Sequence, residues 1–317
     1  MRYKVFVDGQ EGTTGLKIHE RLENLNNIDI LQIDPGKRKD PAERSKLLNM
    51  ADVVFLCLPD VAARESVSLV SNTGTRIIDA STAHRTDNQW TYGFPELSTA
   101  HRDAIKASQR VSVPGCHASG FNLIMYPLVK EGIVPADYAV TCHSISGYSG
   151  AGKKMIEQYE STSRNDSELK SPRLYALRLQ HKHLPEMKKV SGLSFAPLFS
   201  PIIGDYYQGM SVSIPLTSRL LPKKYSAGEI HAFLSEYYKG QYFVSVPAFD
   251  PDNYPGNGFL SATACNGTNR IELYVFGNDE QILLVSRFDN LGKGASGAAV
   301  QCMNIMLGLD EATGLKK

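Results

Sequence analysis

Along the first hundred residues, short apolar runs alternate with stretches whose apolar positions follow a helical period. "YKVFVDG" reads as a strand, and "LKIHERLENL" sets Leu16, Ile18, Leu22 and Leu25 near one helical face. "IDILQID" is a second strand and "PAERSKLLNM" a helix. "ADVVFLCLP" is an almost unbroken apolar run, the pattern of a strand buried on both faces of a parallel sheet. "DVAARESVSLV" then reads as a helix, and "TRIIDAS" and "RVSVPG" as strands. This alternation predicts an α/β fold built on a Rossmann-like, doubly wound parallel sheet. Beyond about Pro135 the pattern changes. "YAVTCHSISGYSG", "MSVSIPLTS", "FVSVPAF" and "RIELYVFGNDEQILLVSRFDN" are alternating or β-rich, with a turn at Gly277-Asn278-Asp279. They predict a second, α+β domain with a mixed or antiparallel sheet. The tail "GKGASGAAVQCMNIMLGL" returns to helix, striped by Val300, Met303, Ile305 and Met306.

Composition adds bounds. The chain has 317 residues, 42% of them hydrophobic, which allows a large core and about two domains. Lys and Arg number 34 against 33 for Asp and Glu, so no single-sign field points to nucleic acid or to a membrane surface. The apolar run in "MRYKVFVDGQ" is too short for a signal peptide, and no window reaches the about 20 apolar residues that span a bilayer. Cys57, Cys116, Cys142, Cys265 and Cys302 are odd in number, widely separated and without a C-x-x-C pair. They read as reduced thiols, and the chain as a soluble cytoplasmic enzyme.

Between the first strand and the first helix, "VFVDGQEGTTGLKIHERL" places Gly9, Gly12 and Gly15. The spacing is G-x-x-G-x-x-G, a variant of the dinucleotide fingerprint. Glycines let backbone approach a pyrophosphate, and N–H groups at the helix start bind the anion. Thr13 and Thr14 add hydroxyl donors or cap the helix. Asp34, 19 residues beyond Gly15, stands where a ribose-binding acid would favour NAD. Lys37, Arg38 and Lys39 follow it and can neutralise a 2′-phosphate, which tilts the expectation to NADP.

"VSVPGCHASGFNLIMYPLV" sets Cys116 between a Pro-Gly turn and a helical run. A thiol at a helix N-terminus feels unpaired N–H groups, which favour the nucleophilic thiolate. Cys57 and Cys302 fit core filling better, and Cys142 and Cys265 lie in β-like patterns. A thiolate nucleophile needs a proton carrier. His117 is adjacent, but neighbouring side chains at a helix start diverge. "LQHKHLPEM" offers His181 and His183, with Glu186 three beyond, for acid–base work and an anion site. Which of the two imidazoles is the acid/base stays open. No further Cys or His at suitable spacing supports a metal site. His84, in "DASTAHR", is expected to face the cofactor.

These motifs, "DASTAHR", "PGCHASGF", "SGYSGAGKK", "HKHLPEM" and "DNLGKGASGAAVQCMN", follow the glycine loop in one order. Together the chain, from Val5 to about Leu309, resembles the N-acetyl-gamma-glutamyl-phosphate reductases in their short form. They are related in architecture to aspartate-semialdehyde and glyceraldehyde-3-phosphate dehydrogenases. The resemblance implies NADP(H)-dependent reduction of an N-acetylglutamyl phosphate through a thioester. Cys116 matches the nucleophile and His183 the acid/base, with His181, Glu186, Ser146, Ser149, Gly150 and Lys153 around the acyl-phosphate substrate. Gly9, Gly12, Thr13, Thr14, Gly15, Arg38, Ser81, Asn290, Lys293 and Gly294 fall to the cofactor. His117 stands where the longer members carry Tyr. The implied domains are 1–117 with 290–317 for the nucleotide and 118–289 for catalysis and oligomerisation, in a homodimer or homotetramer. Another acyl-phosphate or semialdehyde dehydrogenase on the same scaffold is the nearest alternative. A non-catalytic dinucleotide sensor is the alternative of another class.

Overall fold

The computed structural model describes residues 2–23, 25–161, 167–250 and 255–317. Contacts divide the chain into two units, Met1–Gly115 with Ala295–Lys316, and Cys116–Gly294 with Lys317.

In the first unit the apolar runs become strands and the amphipathic stretches become helices: β1 (Tyr3–Asp8), α1 (Thr13–Leu22), β2 (Ile28–Leu31), α2 (Pro41–Met50), β3 (Val53–Leu56), α3 (Asp60–Ser68), β4 (Arg76–Asp79), β5 (Thr91–Tyr92), α4 (Thr99–Ala107) and β6 (Arg110–Ser112). The strands form one parallel sheet in the order β2-β1-β3-β4-β6-β5. Alternate residues point to opposite faces, so each strand feeds two cores. Val5, Val7, Val53, Phe55, Ile78 and Val111 pack under Ile18, Leu22, Ile105 and the last helix, Gly297–Leu307. Phe6, Val54, Leu56 and Ile77 pack under Leu47, Leu48, Ala63 and Trp90 on the other face. That is why "VVFL" is buried at every position. The sheet's strand order reverses between β1 and β3, and in such sheets ligands bind at the carboxyl ends beside that point.

Two local expectations are corrected here. Leu16 is 51% exposed and lies off the packed face of α1, which Ile18 and Leu22 form. The second strand ends at Leu31, short of Asp34. Asp34 instead caps a short 3-10 turn, Pro35–Lys37, its Oδ1 accepting the Gly36 N–H at 2.8 Å.

The second unit contains α5 (Cys116–Lys130), β7 (Thr141–Gly147), α6 (Lys153–Glu160), α7 (Ser167–Lys170), β8 (Arg173–Leu174), α8 (Leu184–Ser191), β9 (Leu198–Gly204), β10 (Met210–Thr217), α9 (Ala227–Tyr237), β11 (Val244–Ser245), β12 (Ile271–Gly277) and β13 (Gln281–Phe288). Its sheet is mixed, in the order β11-β12-β13-β10-β7-β9-β8. β12 and β13 form the expected hairpin, closed where Gly277 adopts φ +116° and Asn278 Oδ1 accepts the Glu280 and Gln281 N–H groups. α5 lies close on the sheet because residue 120 is glycine. A Cβ there would run into Ser286, Val212 and Phe288. "FVSVPAF" yields only the two residues of β11. "LFSPIIG", which carries no strand signal because Pro201 interrupts it, forms β9. The Pro201 carbonyl accepts the Tyr175 N–H at 3.1 Å and so anchors a residue of the site described next.

Candidate active site

The glycine loop of the first unit shows three different reasons for its three glycines. Gly9 adopts φ +90°, and a Cβ on it would collide with the Cys57 carbonyl. A Cβ on Gly15 would collide with the Gly9 carbonyl. Gly12 differs, since its Cβ would meet nothing closer than 3.6 Å. The fold itself therefore tolerates a side chain at residue 12, and its absence leaves open the approach to α1. Gly12 is also the N-cap of α1 and supplies no side-chain hydrogen bond. Thr13 and Thr14 are the first two helical residues and do not cap it, which corrects that alternative. The first-turn N–H groups thus have the disposition a pyrophosphate requires, and the residues fit a dinucleotide.

The loop is braced from below. Asp8, the last residue of β1, is buried and accepts from Arg44 Nη2 at 2.9 Å and from Ser66 Oγ at 2.8 Å. Arg38 pairs with Glu11 of the loop, which puts a guanidinium at the loop's rim. Ser81 Oγ donates to Asp79 Oδ2 at 2.8 Å and accepts from the Ala83 N–H, so its hydroxyl is engaged within its own turn. His84 does not face outward. It is buried, 2.6 Å from Asp79 by its Nδ1 and stacked on Trp90 with ring centroids 4.1 Å apart. Strand-end position suggested a cofactor contact for His84, but the Trp90 ring offers a larger apolar surface to cover.

In the second unit, Cys116 is the first residue of α5 and is partly exposed. The other cysteines are held as thiols or spent in packing. Burial pushes Cys57 and Cys142 up, with Asp79 and Asp8 adding to the effect at Cys57. Burial, then Glu272, pushes Cys265 up. Cys302 donates to the Gly93 carbonyl at 3.3 Å. Gly294 lies against the nucleophile candidate. A Cβ there would sit 3.0 Å from Cys116 Cβ and 3.2 Å from the Phe288 ring.

Three imidazoles gather in this unit, one of them on the residue after Cys116. His183 is the N-cap of α8, and the His181 Nδ1 accepts its backbone N–H at 3.1 Å. Their rings are 4.7 Å apart, and each lies within 5.5 Å of the His117 ring. Glu186, one turn into α8, is buried. His117 is therefore part of the cluster, although sequence adjacency to Cys116 argues against it. Its Nδ1 is 2.7 Å from Ser144 Oγ and its Nε2 is 2.7 Å from the Tyr175 hydroxyl. Burial, then His181 and Lys182, lower its pKa from 6.5 to about 3, so the ring is neutral. Burial, then Cys116, raises Tyr175 above its ordinary range. The segment between Tyr175 and His181 is strained: Ala176 and Leu179 both adopt φ +55°. Tyr175 and Ser144 had no motif to announce them.

The remaining candidates form a second group. Asn290 Nδ2 donates to Ser149 Oγ at 3.0 Å, and Asn290 Oδ1 accepts the Gly209 N–H at 2.8 Å. Gly150 lies over this pair, with Ser146 Oγ and Asn290 Nδ2 each close to where its Cβ would be. Lys293 is fully buried, its Nζ 5.8 Å from the Phe243 ring centroid. Lys153, at the start of α6, is 78% exposed and reaches Glu157 at 3.9 Å, so it stands out from the surface. Among the described residues no three His, Cys, Asp or Glu side chains are arranged to hold a metal ion. Among them, too, no helix is long and apolar enough to cross a membrane.

Comparison with known proteins agrees with this architecture. The semialdehyde dehydrogenase NAD binding domain matches residues 4–107, and the semialdehyde dehydrogenase dimerisation domain matches residues 116–290. Aspartate semialdehyde dehydrogenase from Francisella tularensis superposes with a TM-score of 0.72 at 17% identity, covering 96% of this chain and 100% of that one. The Candida albicans enzyme solved with NADP superposes with a TM-score of 0.66 at 15% identity, over 97% and 99% of the two chains. Fold and matched domains together define an oxidoreductase of the semialdehyde dehydrogenase class that uses a nicotinamide dinucleotide. Sequence is more specific. The chain is 49% identical to N-acetyl-gamma-glutamyl-phosphate reductase 2 of Nostoc sp., over 98% of this chain and 99% of that one. It is 46% identical to the Pseudomonas putida protein of the same name, over 98% of each. The chain belongs to the N-acetyl-gamma-glutamyl-phosphate reductase family.

Proposed function

We propose that the protein reduces N-acetylglutamyl 5-phosphate to N-acetylglutamate 5-semialdehyde with NADPH, releasing phosphate, through a thioester on Cys116. The observation that carries this is the setting of Cys116. It is a partly exposed thiol opening a long helix, packed against Gly294 and followed at once by His117, whose ring clusters with those of His181 and His183, in a chain 49% identical to a reductase of that name.

The chemistry follows from the residue types. With the Cys116 proton resident on the His181–His183 pair, the thiolate attacks the acyl carbon. A C–S bond forms, the C–O bond to phosphate breaks, and His183 returns the proton to the departing phosphate. When bound, the reduced nicotinamide supplies hydride to the thioester carbon. N–H groups in the first turn of α5 face the oxyanion that results, a kind of contact worth about 3–4 kcal/mol. Collapse breaks the C–S bond, releases the aldehyde and regenerates the thiolate, and one proton from water restores the imidazolium. Ser146, Ser149 and Gly150 serve the substrate's anionic groups. Lys153 joins them only if its exposed ammonium swings inward.

Arg38 at the rim of the glycine loop, with Asp34 turned into its own cap, supports NADP as the dinucleotide. The matched dimerisation domain supports a homodimer or homotetramer, and an odd number of cysteines with no disulfide among the described residues supports a cytoplasmic setting. The decisive assay runs the reaction backward: phosphate-dependent NADP reduction with N-acetylglutamate, aspartate and N-acetyl-aminoadipate semialdehydes. N-acetylglutamate semialdehyde is expected to give the highest kcat/KM. Cys116→Ser is expected to abolish turnover while dinucleotide binding persists. A Cys116→Ser protein that kept most of its reductive activity would remove the thioester.

A further inference from the structure

We infer that Glu11 is a specificity-determining residue of the dinucleotide site. Its carboxylate holds the Arg38 guanidinium and gives it up to a 2′-phosphate, so the choice between NADP and NAD is an exchange of anions on Arg38. This rests on the assignment of Arg38 to NADP and concerns the anion that competes for it. Glu11 stands in the glycine loop between Gly9 and Gly12, and Arg38 closes the 3-10 turn Pro35–Lys37 that comes after β2. In a doubly wound fold these two segments flank the ribose whose 2′-position separates the two coenzymes. The Glu11–Arg38 ion pair joins them there.

The neighbouring charges are committed elsewhere. Arg44 is buried and bound to Asp8 and Ser66. Asp34 and Asp40 accept N–H groups of their own turns, from Gly36 and Ala42 respectively. Lys37 and Lys39 are exposed, and an ammonium is a point charge without the planar fork of a guanidinium. Among the described residues Glu11 is the one acceptor on Arg38, through Nη1, while Arg38 Nε is buried and makes no hydrogen bond. The guanidinium is therefore held by one prong of its fork. Such a hold is exchangeable. The Glu11 side chain is 70% exposed, and an exposed pair shifts an equilibrium by at most about fivefold. A phosphate brings three oxygens to a planar donor that binds two of them in parallel. NADP therefore displaces Glu11, whereas NAD, with a hydroxyl at the 2′-position, leaves the pair intact. Glu11 thus opposes NADP alone, because only the phosphate has to take Arg38 from it.

The test is isothermal titration of the unaltered chain, Glu11→Gln, Arg38→Met and the double variant. The probes are NADP and NAD, with 2′,5′-ADP and 5′-AMP as their adenosine halves. Glu11→Gln is expected to tighten NADP and 2′,5′-ADP about threefold to fivefold, with NAD and 5′-AMP held within about twofold. Arg38→Met is expected to weaken the two probes that carry a 2′-phosphate about tenfold or more and to leave the other two within about twofold. In the double variant the gain from Glu11→Gln is expected to vanish, since it acts through Arg38. Thermal unfolding run in parallel reports on the fold. A merely structural ion pair would move all the probes together or the melting temperature alone, and either result overturns the inference. A gain from Glu11→Gln of equal size in the Arg38→Met background would overturn it as well, because it would mark bare repulsion of the phosphate by the carboxylate. If Arg38→Met leaves NADP affinity unchanged, the assignment of Arg38 to NADP fails and the inference falls with it. If Arg38→Met weakens NADP while Glu11→Gln does not tighten it, the inference falls alone and that assignment stands.

Discussion

His117 also sets a pH signature. Its folded pKa is about 3 against 6.5 for a free histidine, because burial and the neighbouring His181 and Lys182 disfavour the imidazolium. Between those two values the unfolded chain binds the proton and the folded chain does not, so stability rises with pH across that window. The contribution is complete above pH 6.5 and is lost as pH falls toward 3. By pH 4.5 the single group accounts for about 3 kcal/mol. Urea unfolding of His117→Gln between neutral pH and pH 4.5 is expected to show a shallower decline than the unaltered chain by about that amount. Parallel declines would mean that the imidazole is not held neutral. The same residue shows how local reasoning stops short. Cys116 was legible because everything that singles it out, a Pro-Gly turn followed by a helical run, lies within a few positions, and the helix does begin there. His117 was set aside on the sound ground that neighbouring side chains on a helix diverge. What brings it into the cluster is Ser144 from β7 and Tyr175 from beyond α7, and no periodicity reports such distant partners.

Among the elements, the turn from β1 to α1 was the most readable, since glycine, strand and helix signals coincide in it. Structure refines the three glycines into two that the fold demands and one that it does not. Gly12→Ala is accordingly expected to leave the melting temperature within about 2 °C while weakening dinucleotide affinity about tenfold, a loss near 1.4 kcal/mol. Gly15→Ala is the contrast, because its Cβ would meet the Gly9 carbonyl and damage the loop itself. Isothermal titration with NADP and with NAD measures both. Unaltered affinity in Gly12→Ala would show that phosphate does not pass over residue 12. Elements with weaker signals were misread for physical reasons. Strand β9 was invisible because Pro201 mimics a break, yet its neighbour β8 is only two residues long and asks little of it. "FVSVPAF" looked like a full strand by composition, but only two residues pair, at the sheet's edge. Edge strands are often short, which limits unpaired backbone.

For the whole molecule, the alternation of patterns gave the α/β class and the mixed second sheet, while the way copies assemble is written in no motif. The second sheet does offer a surface. α5 covers one face of it, and on the other Tyr274, Phe276, Leu283 and Val285 stand side by side across β12 and β13. Phe276, Leu283 and Val285, with Phe259, Leu260 and Ser213, line a cavity of about 400 Å³. Phe259 is 81% exposed and Leu283 is 38% exposed, a cost that a lone chain gains nothing from and that a symmetric pairing of sheets would recover. In a monomer, Leu283→Asp replaces a half-exposed side chain and is expected to change stability by no more than about 1 kcal/mol. In the proposed oligomer it buries an unpaired carboxylate in each copy, a penalty of several kcal/mol that association cannot absorb. Sedimentation velocity is therefore expected to find the unaltered chain as a dimer or tetramer and Leu283→Asp dissociated by one step, with its far-UV circular dichroism unchanged. An oligomer that survived the substitution would move the interface off this face, and a monomeric parent would remove it altogether.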